Sequence, residues 1–522
     1  MQTLQLTIPA QSDDRAGLKI KPREVQAWLD NLPFLDLQRT LRLAREQLRL
    51  MNRQSIAAST RLEIIGQFLA TYQRLVEALS AQHHDADTLL PLVKRLCQDI
   101  GFGYKIVVNQ LVNQRSGFME GRSLPLALLG SIHTLGLQLL DCYSAYQSTP
   151  RALWSECLSL YAYAWQSGRE QYSAPLPGFG KQQIDASFRL SALIRLADPY
   201  QLPAGMIKPL RQYLEKHIAL SCIHESPPAG KNCFQLKDAF QQVTEEQNPH
   251  LYLQVDDMLE QIQLDIDKLE KTNQSRAIGV PPEVPAQPLF HSLKQTLEHW
   301  KQHPTRIAER EETHVRIELV YGLHATYCMT NRQRPFDPAL FLSPGHADDI
   351  ELTADLSMAE PQKLDLAEIL SCTSLNRSTG GLAVSYRGNK KSCPRVGQLV
   401  ALRRPEAGPE NRWVVAACRW LRESENSNGF EMGVQYLTRD PRPVVIRVMD
   451  DSGLGRNYEP AIAAIQKRGQ EPVHTLITRS GEIHTGSRLT IYEDGNQQHI
   501  RCIEQLDDYP GFQRFIYTPV DV

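Results

Sequence analysis

The feature that most constrains this chain of 522 residues is a change in the spacing of its apolar side chains near residue 312. Before that point, apolar residues recur at helical intervals, as in 24–51 and 61–79, so one face of each segment is apolar. After it, they alternate along the chain, as in 315–323 and 382–386, which is the spacing of half-buried strands. The sequence therefore predicts an α+β multidomain protein, with an N-terminal all-α helical array followed by a β-rich part.

Proline-rich and turn-forming stretches divide the chain into successive segments. Residues 1–230 are expected to form an all-helical domain, and residues 231–275 a short β element followed by a helix. Residues 276–304 contain closely spaced prolines, which fix φ and lack an amide donor, so we expect a linker and a short helix there. The two remaining segments, 305–440 and 441–522, are both β-rich.

The last segment, 441–522, is predicted to be either a second barrel or a β-rich extension of the segment before it. Asp494-Gly495 separates two apolar strand-like runs and is a signature of a two-residue hairpin. A short helix is predicted near residues 458–468. The sequence shows no binding motif in this segment.

Composition and charge exclude several classes of protein. The formal net charge is −2, which gives no support for a DNA-binding protein or a polybasic membrane binder, so any anionic ligand must be held by a local site. The ten cysteines are scattered without a CxxC pair, which predicts reduced thiols in a cytoplasm and no zinc knuckle. The N-terminus lacks the pattern of a signal peptide. Residues 124–140 are interrupted by Pro125, Gly130 and Gly136, so we expect a buried helix and no membrane insertion.

The motif with the most chemical information is Asn376-Arg377-Ser378-Thr379-Gly380-Gly381, which lies between two strand-like runs. Two arginines four residues apart, Arg306 and Arg310, precede it. Three further strand-like motifs follow in order: Val396-Gly397-Gln398-Leu399-Val400, Cys418-Arg419-Trp420 and Gly433-Val434-Gln435-Tyr436. The ordered set resembles the PilZ domain, and the resemblance covers about residues 305–440.

PilZ domains are small six-stranded β-barrels, and many bind the bacterial second messenger cyclic di-GMP. The resemblance implies five ligand residues here: Arg306, Arg310, Asn376, Ser378 and Gly381. The chemistry of these residues suits that ligand, because each guanine offers O6 and N7 acceptors that match the planar fork of arginine. Asn376 and Ser378 would supply short polar groups, and Gly381 would permit close approach or a positive φ.

The spacing departs from the family pattern in two ways. Arg310 stands 66 residues before Asn376, which suggests an inserted segment at about 329–370 that holds Arg332 and Arg334. Arg310 also lies several residues before the first predicted strand, whereas Arg316 lies within it and is an alternative contributor. The alternative of a degenerate domain, which keeps the barrel but has lost the ligand, is therefore not excluded by the sequence.

The sequence predicts a binding protein and not an enzyme, with no catalytic residues, no metal site and no cofactor. The leading hypothesis is a cytoplasmic receptor for cyclic di-GMP whose helical domain relays the signal to an unidentified protein partner. The alternative is a ligand-independent scaffold for protein–protein contacts. A third and weaker hypothesis is a phosphohydrolase centred on His84 and Asp85, although no matching set of further histidines accompanies that pair.

Overall fold

The computed structural model describes residues 4–12, 21–81, 86–113, 120–230, 232–236, 250–301, 310–338, 368–388, 393–407, 412–424, 429–449, 455–468, 471–481 and 483–520. The chain forms two compact units. The first comprises Met1–Pro199, Ile207–Val284 and Leu293–His303, and the second comprises Tyr200–Met206, Pro285–Ser292 and Pro304–Val522.

The first unit is built mainly from helices. They are α1 (Pro22–Asp30), α2 (Leu37–Asn52), α3 (Ala58–Ala81), α4 (Ala86–Asn113), α5 (Glu120–Ser144), α6 (Arg151–Gln166), α7 (Ile184–Leu196), α8 (Ile207–Lys216) and α9 (Asp256–Thr272). A hairpin of β1 (Ser173–Leu176) and β2 (Gly180–Gln183) precedes α7. A small antiparallel sheet pairs β3 (Cys222–His224) with β5 (Tyr252–Gln254), and β5 with β4 (Cys233–Gln235). A further helix, α10 (Ala286–Lys301), has residues in both units.

Helix α5 is the centre of the first unit and packs against α4, α6 and α7. It is long and apolar enough to cross a membrane by composition alone, but 78% of its most apolar window is buried among the other helices. Leu128, Ile132 and Leu135 are fully buried. Burial on several sides explains why its sequence is apolar around most of its circumference.

The second unit begins with a barrel of six antiparallel strands, which we call the first barrel. Its strands are β7 (Arg316–Tyr321), β8 (Leu370–Arg377), β9 (Gly381–Tyr386), β10 (Leu399–Arg403), β11 (Val414–Glu423) and β12 (Phe430–Thr438). The ring runs β7-β8-β9-β12-β11-β10 and closes where β10 pairs with β7. A short strand, β6 (Glu311–Glu312), pairs with the outer end of β8, and helix α11 (Leu323–Thr330) follows β7.

A second closed barrel follows directly. Its strands are β13 (Arg442–Met449), β14 (Gly455–Arg468), β15 (Glu471–Thr478), β16 (Arg488–Glu493), β17 (Asn496–Tyr509) and β18 (Phe512–Pro519). The ring runs β13-β14-β15-β18-β17-β16 and is also antiparallel throughout. When each barrel's strands are counted in chain order, both rings follow the order first, second, third, sixth, fifth, fourth. The second barrel therefore repeats the topology of the first.

The two barrels share a hydrophobic core within the second unit. The first barrel contributes Leu399, Val415, Ala417 and Leu437, and α11 contributes Leu323. The second barrel contributes Ile462, Ile477 and Phe512.

These architectures confirm the predicted fold class, and Asp494-Gly495 forms the expected tight turn between β16 and β17. The helix predicted near 458–468 is wrong, because these residues belong to β14. Ala461 and Ala463 fill the second barrel, while Ile462 packs into the core shared with the first. A strand buried on both faces gives a continuous apolar run, and its sequence cannot be told from a buried helix by periodicity.

Candidate functional site

The turn between β8 and β9, Ser378–Gly381, is held firmly against β12. The Ser378 amide donates to the Gly381 carbonyl at 2.9 Å, and the Tyr436 amide donates to the Gly380 carbonyl at 2.9 Å. A Cβ on Gly381 would lie 2.3 Å from the Val434 carbonyl oxygen, so any other residue would push β9 away from β12. Of the two roles considered for this glycine, the structure supports close approach of the backbone.

The strand that leads into this turn carries a β-bulge. The register of β8 against β9 shifts between Ser374 and Asn376, which places half-buried Asn376 opposite both Ala383 of β9 and Glu312 of β6. The chain before β7 is tied to the same bulge, because the buried Ser374 hydroxyl accepts from the Val315 amide at 2.9 Å. Bulges of this kind redirect side chains and recur next to binding sites.

Arg310 is brought to the turn by β6. Glu311 lies opposite Arg377 in the antiparallel register, so Arg310, one residue earlier, lies level with Ser378. Arg310 is exposed to solvent there. The short strand β6 thus accounts for the unusual distance in sequence between Arg310 and the first long strand. Arg306 lies outside the described residues.

Arg316, the alternative contributor, lies elsewhere on the barrel wall. It is exposed on β7 opposite Thr373, and its Nε donates to the Ser371 hydroxyl at 3.2 Å. The turn begins five residues beyond Thr373 along β8. Among the described residues, Arg310 is therefore better placed than Arg316 to reach a ligand at the turn.

Sequence reasoning missed Arg377, which lies inside the motif itself. Its guanidinium pairs with the Glu311 carboxylate, with Nη2 at 2.6 Å and Nε at 2.8 Å from the same Oε2 atom. Both side chains are substantially exposed. An ion pair in this setting contributes little stability and exchanges readily for another anion.

Sequence reasoning also missed Arg404 and Arg439, which accompany Tyr436 at the same edge. Arg439 donates to the Thr379 carbonyl at 3.3 Å, and its guanidinium carbon lies 5.1 Å from the centre of the Tyr436 ring. Burial raises the pKa of Tyr436, while the positive charges of Arg439, Arg404 and Arg377 act in the opposite direction. The phenol is therefore neutral at pH 7 and lies among three guanidinium groups. We refer to Arg310, Arg377, Arg404 and Arg439 as the arginine cluster.

Strand direction explains why these arginines meet. In a fully antiparallel ring, alternate strands end at the same edge, so the ends of β8, β10 and β12 lie together with the start of β7. Arg377, Arg404 and Arg439 stand at those three strand ends, and Arg310 precedes β7. The signal that could have found them is therefore positional: basic residues at the ends of alternate strands.

The chemistry of this edge suits an anion with planar hydrogen-bond acceptors. It offers guanidinium groups, the half-buried amide of Asn376 and the half-buried hydroxyl of Ser378. Within the part of the chain that the structure describes, no group of three or more His, Cys, Asp or Glu residues is arranged to hold a metal ion. His84 and Asp85 lie outside the described residues.

Comparison with known proteins finds similarity in both the helical part and the barrel part of the chain. Residues 23–228 match the family model described as the N-terminal domain of the cyclic-di-GMP receptor FimW, and residues 346–443 match the model described as its middle PilZ domain. A Pseudomonas aeruginosa protein described as Cyclic-di-GMP receptor FimW is 22% identical over 99% of this chain and 94% of its own length. These matches confirm the predicted PilZ domain. The match to the PilZ model begins at residue 346, after Arg306 and Arg310, and the roles of all five predicted ligand residues stay predictions.

Proposed function

We propose that this chain, whose C-terminal part contains a PilZ domain, is a receptor that binds cyclic di-GMP at the edge of the first barrel. One observation carries the proposal: the barrel gathers the arginine cluster around the Ser378–Gly381 turn. The similarity to a cyclic-di-GMP receptor extends along nearly the whole chain and supports the same function.

The ligand and the site have complementary chemistry. Cyclic di-GMP carries two phosphodiester charges and two guanines, and an arginine can pair with a phosphate or with the O6 and N7 atoms of a guanine. Each good bidentate pair contributes about 1–3 kcal/mol of discrimination. We assign Arg306 and Arg310 to closure over the ligand, and Asn376 and Ser378 to hydrogen bonds from the barrel wall. Gly381 keeps the turn close to β12.

The ion pair between Arg377 and Glu311 bears on how the site becomes occupied. A ligand phosphate would replace the Glu311 carboxylate on Arg377 and release the segment that carries Glu311 and Arg310. Because the pair is exposed, the exchange costs little. Ligand binding would in this way be coupled to a rearrangement of the chain just before β7.

The stretch of chain that runs from α10 to β6 is held at both ends by contacts within the second unit. At its far end, Gln287 of α10 donates to Asp508 of the second barrel at 2.5 Å, and His291 stacks on Tyr509 with ring centres 6.0 Å apart. At its near end, β6 pairs with β8. Closure of Arg306 and Arg310 onto a ligand would therefore pull on α10, which also has residues in the first unit. We propose that the helical domain relays this change to a protein partner.

The proposed receptor works in the cytoplasm and without catalysis. All ten cysteines are free thiols, as expected in a reducing compartment. The residues at the barrel edge have roles in binding, and we assign none of them to a chemical step.

A second candidate function is a ligand-independent scaffold. It is favoured by the pairing of Arg377 with Glu311, which neutralises part of the arginine cluster within the chain itself. In that case the first barrel would be a docking module that keeps the PilZ fold without the nucleotide.

Calorimetric titration of the full chain distinguishes the two. We expect the wild type to bind cyclic di-GMP, and the Arg306→Ala/Arg310→Ala variant to lose at least about 100-fold in affinity, since each arginine removed costs a charge-assisted pair. Cyclic di-AMP, which has an amino group where guanine has O6, is the matched ligand control and should bind weakly. A folded wild type that binds neither ligand would overturn the receptor proposal and favour the scaffold.

A further inference from the structure

The outward face of helix α2 carries a row of arginines that the proposed nucleotide site does not use. The members of this row are exposed, and they are Arg39, Arg42 and Arg49 of the helix and Arg53, which directly follows it. At about 100° per residue, all four lie within an arc of about 80° around the helix axis, and the row is about 21 Å long. The opposite side of α2 is buried in the helical unit. We call the four arginines the basic face.

The charges of the basic face are not neutralised by ion pairs with carboxylates in the part of the chain that the structure describes. Arg45, on the flank of the same helix, shows the contrast, because it is half-buried and its Nε atom lies 3.0 Å from the Asp99 carboxylate. Glu46 is exposed within the row, which therefore holds four positive charges and one negative charge. Since the whole chain has a formal net charge of −2, positive charge is concentrated on this face and is exposed to an external anion.

Exposed apolar side chains border the basic face at both of its ends. Leu35, in the turn just before α2, is fully exposed, and Leu50, near the end of α2, is 45% exposed. Beside Leu35, the guanidinium carbon of the exposed Arg74 lies 4.3 Å from the centre of the Phe34 ring. Leucines exposed to water gain free energy when a second surface covers them. The face therefore combines positive charge with apolar groups.

We infer that α2 docks the helical unit on the surface of an anionic lipid bilayer. A straight row on the outside of a helix suits an extended charged surface, whereas a small anion requires a concave site. An acidic protein would also attract the arginines, but a leucine at each end of the row favours a surface that offers anionic headgroups and apolar chains together. The association is peripheral, because the inner side of α2 stays in the core of the unit.

The test is co-sedimentation of the full chain with vesicles of phosphatidylcholine, either alone or with part of the lipid replaced by phosphatidylglycerol. We expect the chain to sediment with the anionic vesicles and not with the neutral ones. Salt screens the attraction between exposed charges, so binding should fall steeply from low to high ionic strength. The experiment needs no nucleotide, so its outcome is independent of the receptor proposal.

Matched double variants locate the contact. Each arginine near an anionic bilayer contributes about fivefold to the partition coefficient, so Arg42→Gln/Arg49→Gln should lower it about 25-fold. The control Arg151→Gln/Arg276→Gln removes the same charge from exposed positions outside α2 and should change the partition coefficient less than about twofold. All four arginines are exposed, so the melting temperature should be the same in both variants as in the wild type.

Two single variants should have opposite effects on binding to the anionic vesicles. Glu46→Gln removes the negative charge within the row and should strengthen binding about fivefold. Leu35→Ser should weaken it about fivefold, because a serine gains nothing from the apolar boundary of the bilayer. The inference would be overturned if the folded wild type did not sediment with the anionic vesicles, or if both double variants lost binding equally. Retention on polyglutamate without vesicle binding would overturn it in favour of an acidic protein partner.

Discussion

The two barrels of this chain have the same strand order and differ at one edge. In the first, the edge where β8, β10 and β12 end carries the Ser378–Gly381 turn and the arginine cluster, of which Arg310, Arg404 and Arg439 have no ion pair with a carboxylate among the described residues. In the second, each arginine near the matching edge pairs with a glutamate: Arg442 with Glu493 and Arg468 with Glu504. The fold is shared and the site is not, so binding is decided by the side chains at the strand ends.

The surface of the second barrel makes packing contacts with other parts of the second unit. One face packs into the core shared with the first barrel, and the hairpin between β17 and β18 holds α10 through Asp508 and Tyr509. The Tyr509 ring also lies under Arg419 of the first barrel, whose guanidinium carbon is 4.8 Å from the ring centre. This barrel thus supports the parts that the proposed mechanism would move.

The largest expected effect comes from removing matched pairs of arginines from the two barrels. Arg377→Ala/Arg439→Ala should raise the Kd for cyclic di-GMP about 100-fold, since two charge-assisted contacts are lost. Arg442→Ala/Arg468→Ala should change it less than about twofold, because those arginines are engaged within their own barrel. Calorimetry on the full chain measures both. A larger loss in the second pair would place the nucleotide on the second barrel.

Glycine-to-alanine changes at the two hairpins test how the turns differ. In Gly381→Ala the new Cβ would lie 2.3 Å from the Val434 carbonyl, which should destabilise the barrel by about 3 kcal/mol and weaken nucleotide binding. Gly495→Ala meets no atom within 4 Å but must adopt φ of +81°, so we expect a loss of about 1 kcal/mol and normal binding. Chemical denaturation followed by calorimetry separates the two outcomes. Equal effects at both turns would contradict the close packing inferred for Gly381.

Local sequence pattern accounts for most of the fold and only part of the candidate site. Alternation and helical spacing predicted the helical array and the β-rich part, and the resemblance to the PilZ domain implied Asn376, Ser378 and Gly381 as ligand residues, which stays a prediction. Arg404 and Arg439 were missed because their meeting depends on the antiparallel closure of the ring, which no local pattern encodes.

A smaller change in affinity for cyclic di-GMP, of opposite sign, is expected from releasing Arg377, the arginine that is ion-paired in the first barrel. Glu311→Gln removes the carboxylate that competes for Arg377, so the affinity for cyclic di-GMP should rise about threefold, in line with the modest strength of exposed ion pairs. The matched change Glu493→Gln frees Arg442 in the second barrel and should leave affinity unchanged. Titration at two salt concentrations checks both. A fall in affinity for Glu311→Gln would mean that Glu311 positions Arg377 for the ligand.

The smallest effect on nucleotide affinity is expected from a change at Asp508, which tests whether the second barrel only supports α10. Burial alone would raise the pKa of Asp508, but the nearby His291, whose Nε2 atom lies 3.8 Å from the carboxylate, and the hydrogen bond from Gln287 outweigh burial and lower it. A carboxyl whose pKa is lowered in the folded state stabilises the fold at pH values above its pKa in the unfolded state, near 3.9. This stabilisation is lost as the pH falls through the folded-state pKa. Asp508→Asn should therefore lower stability by about 1 kcal/mol at pH 7, and the difference from wild type should shrink below about pH 4.

Thermal unfolding at several pH values measures that difference, and nucleotide affinity at pH 7 is the accompanying control. If the second barrel acts only as a support, Asp508→Asn changes the affinity for cyclic di-GMP less than about twofold, because the arginine cluster and the turn are untouched. An affinity change as large as that of Glu311→Gln would mean that the anchored position of α10 sets the position of Arg306 and Arg310. The two barrels would then share the binding function, and the division of roles between them would be wrong.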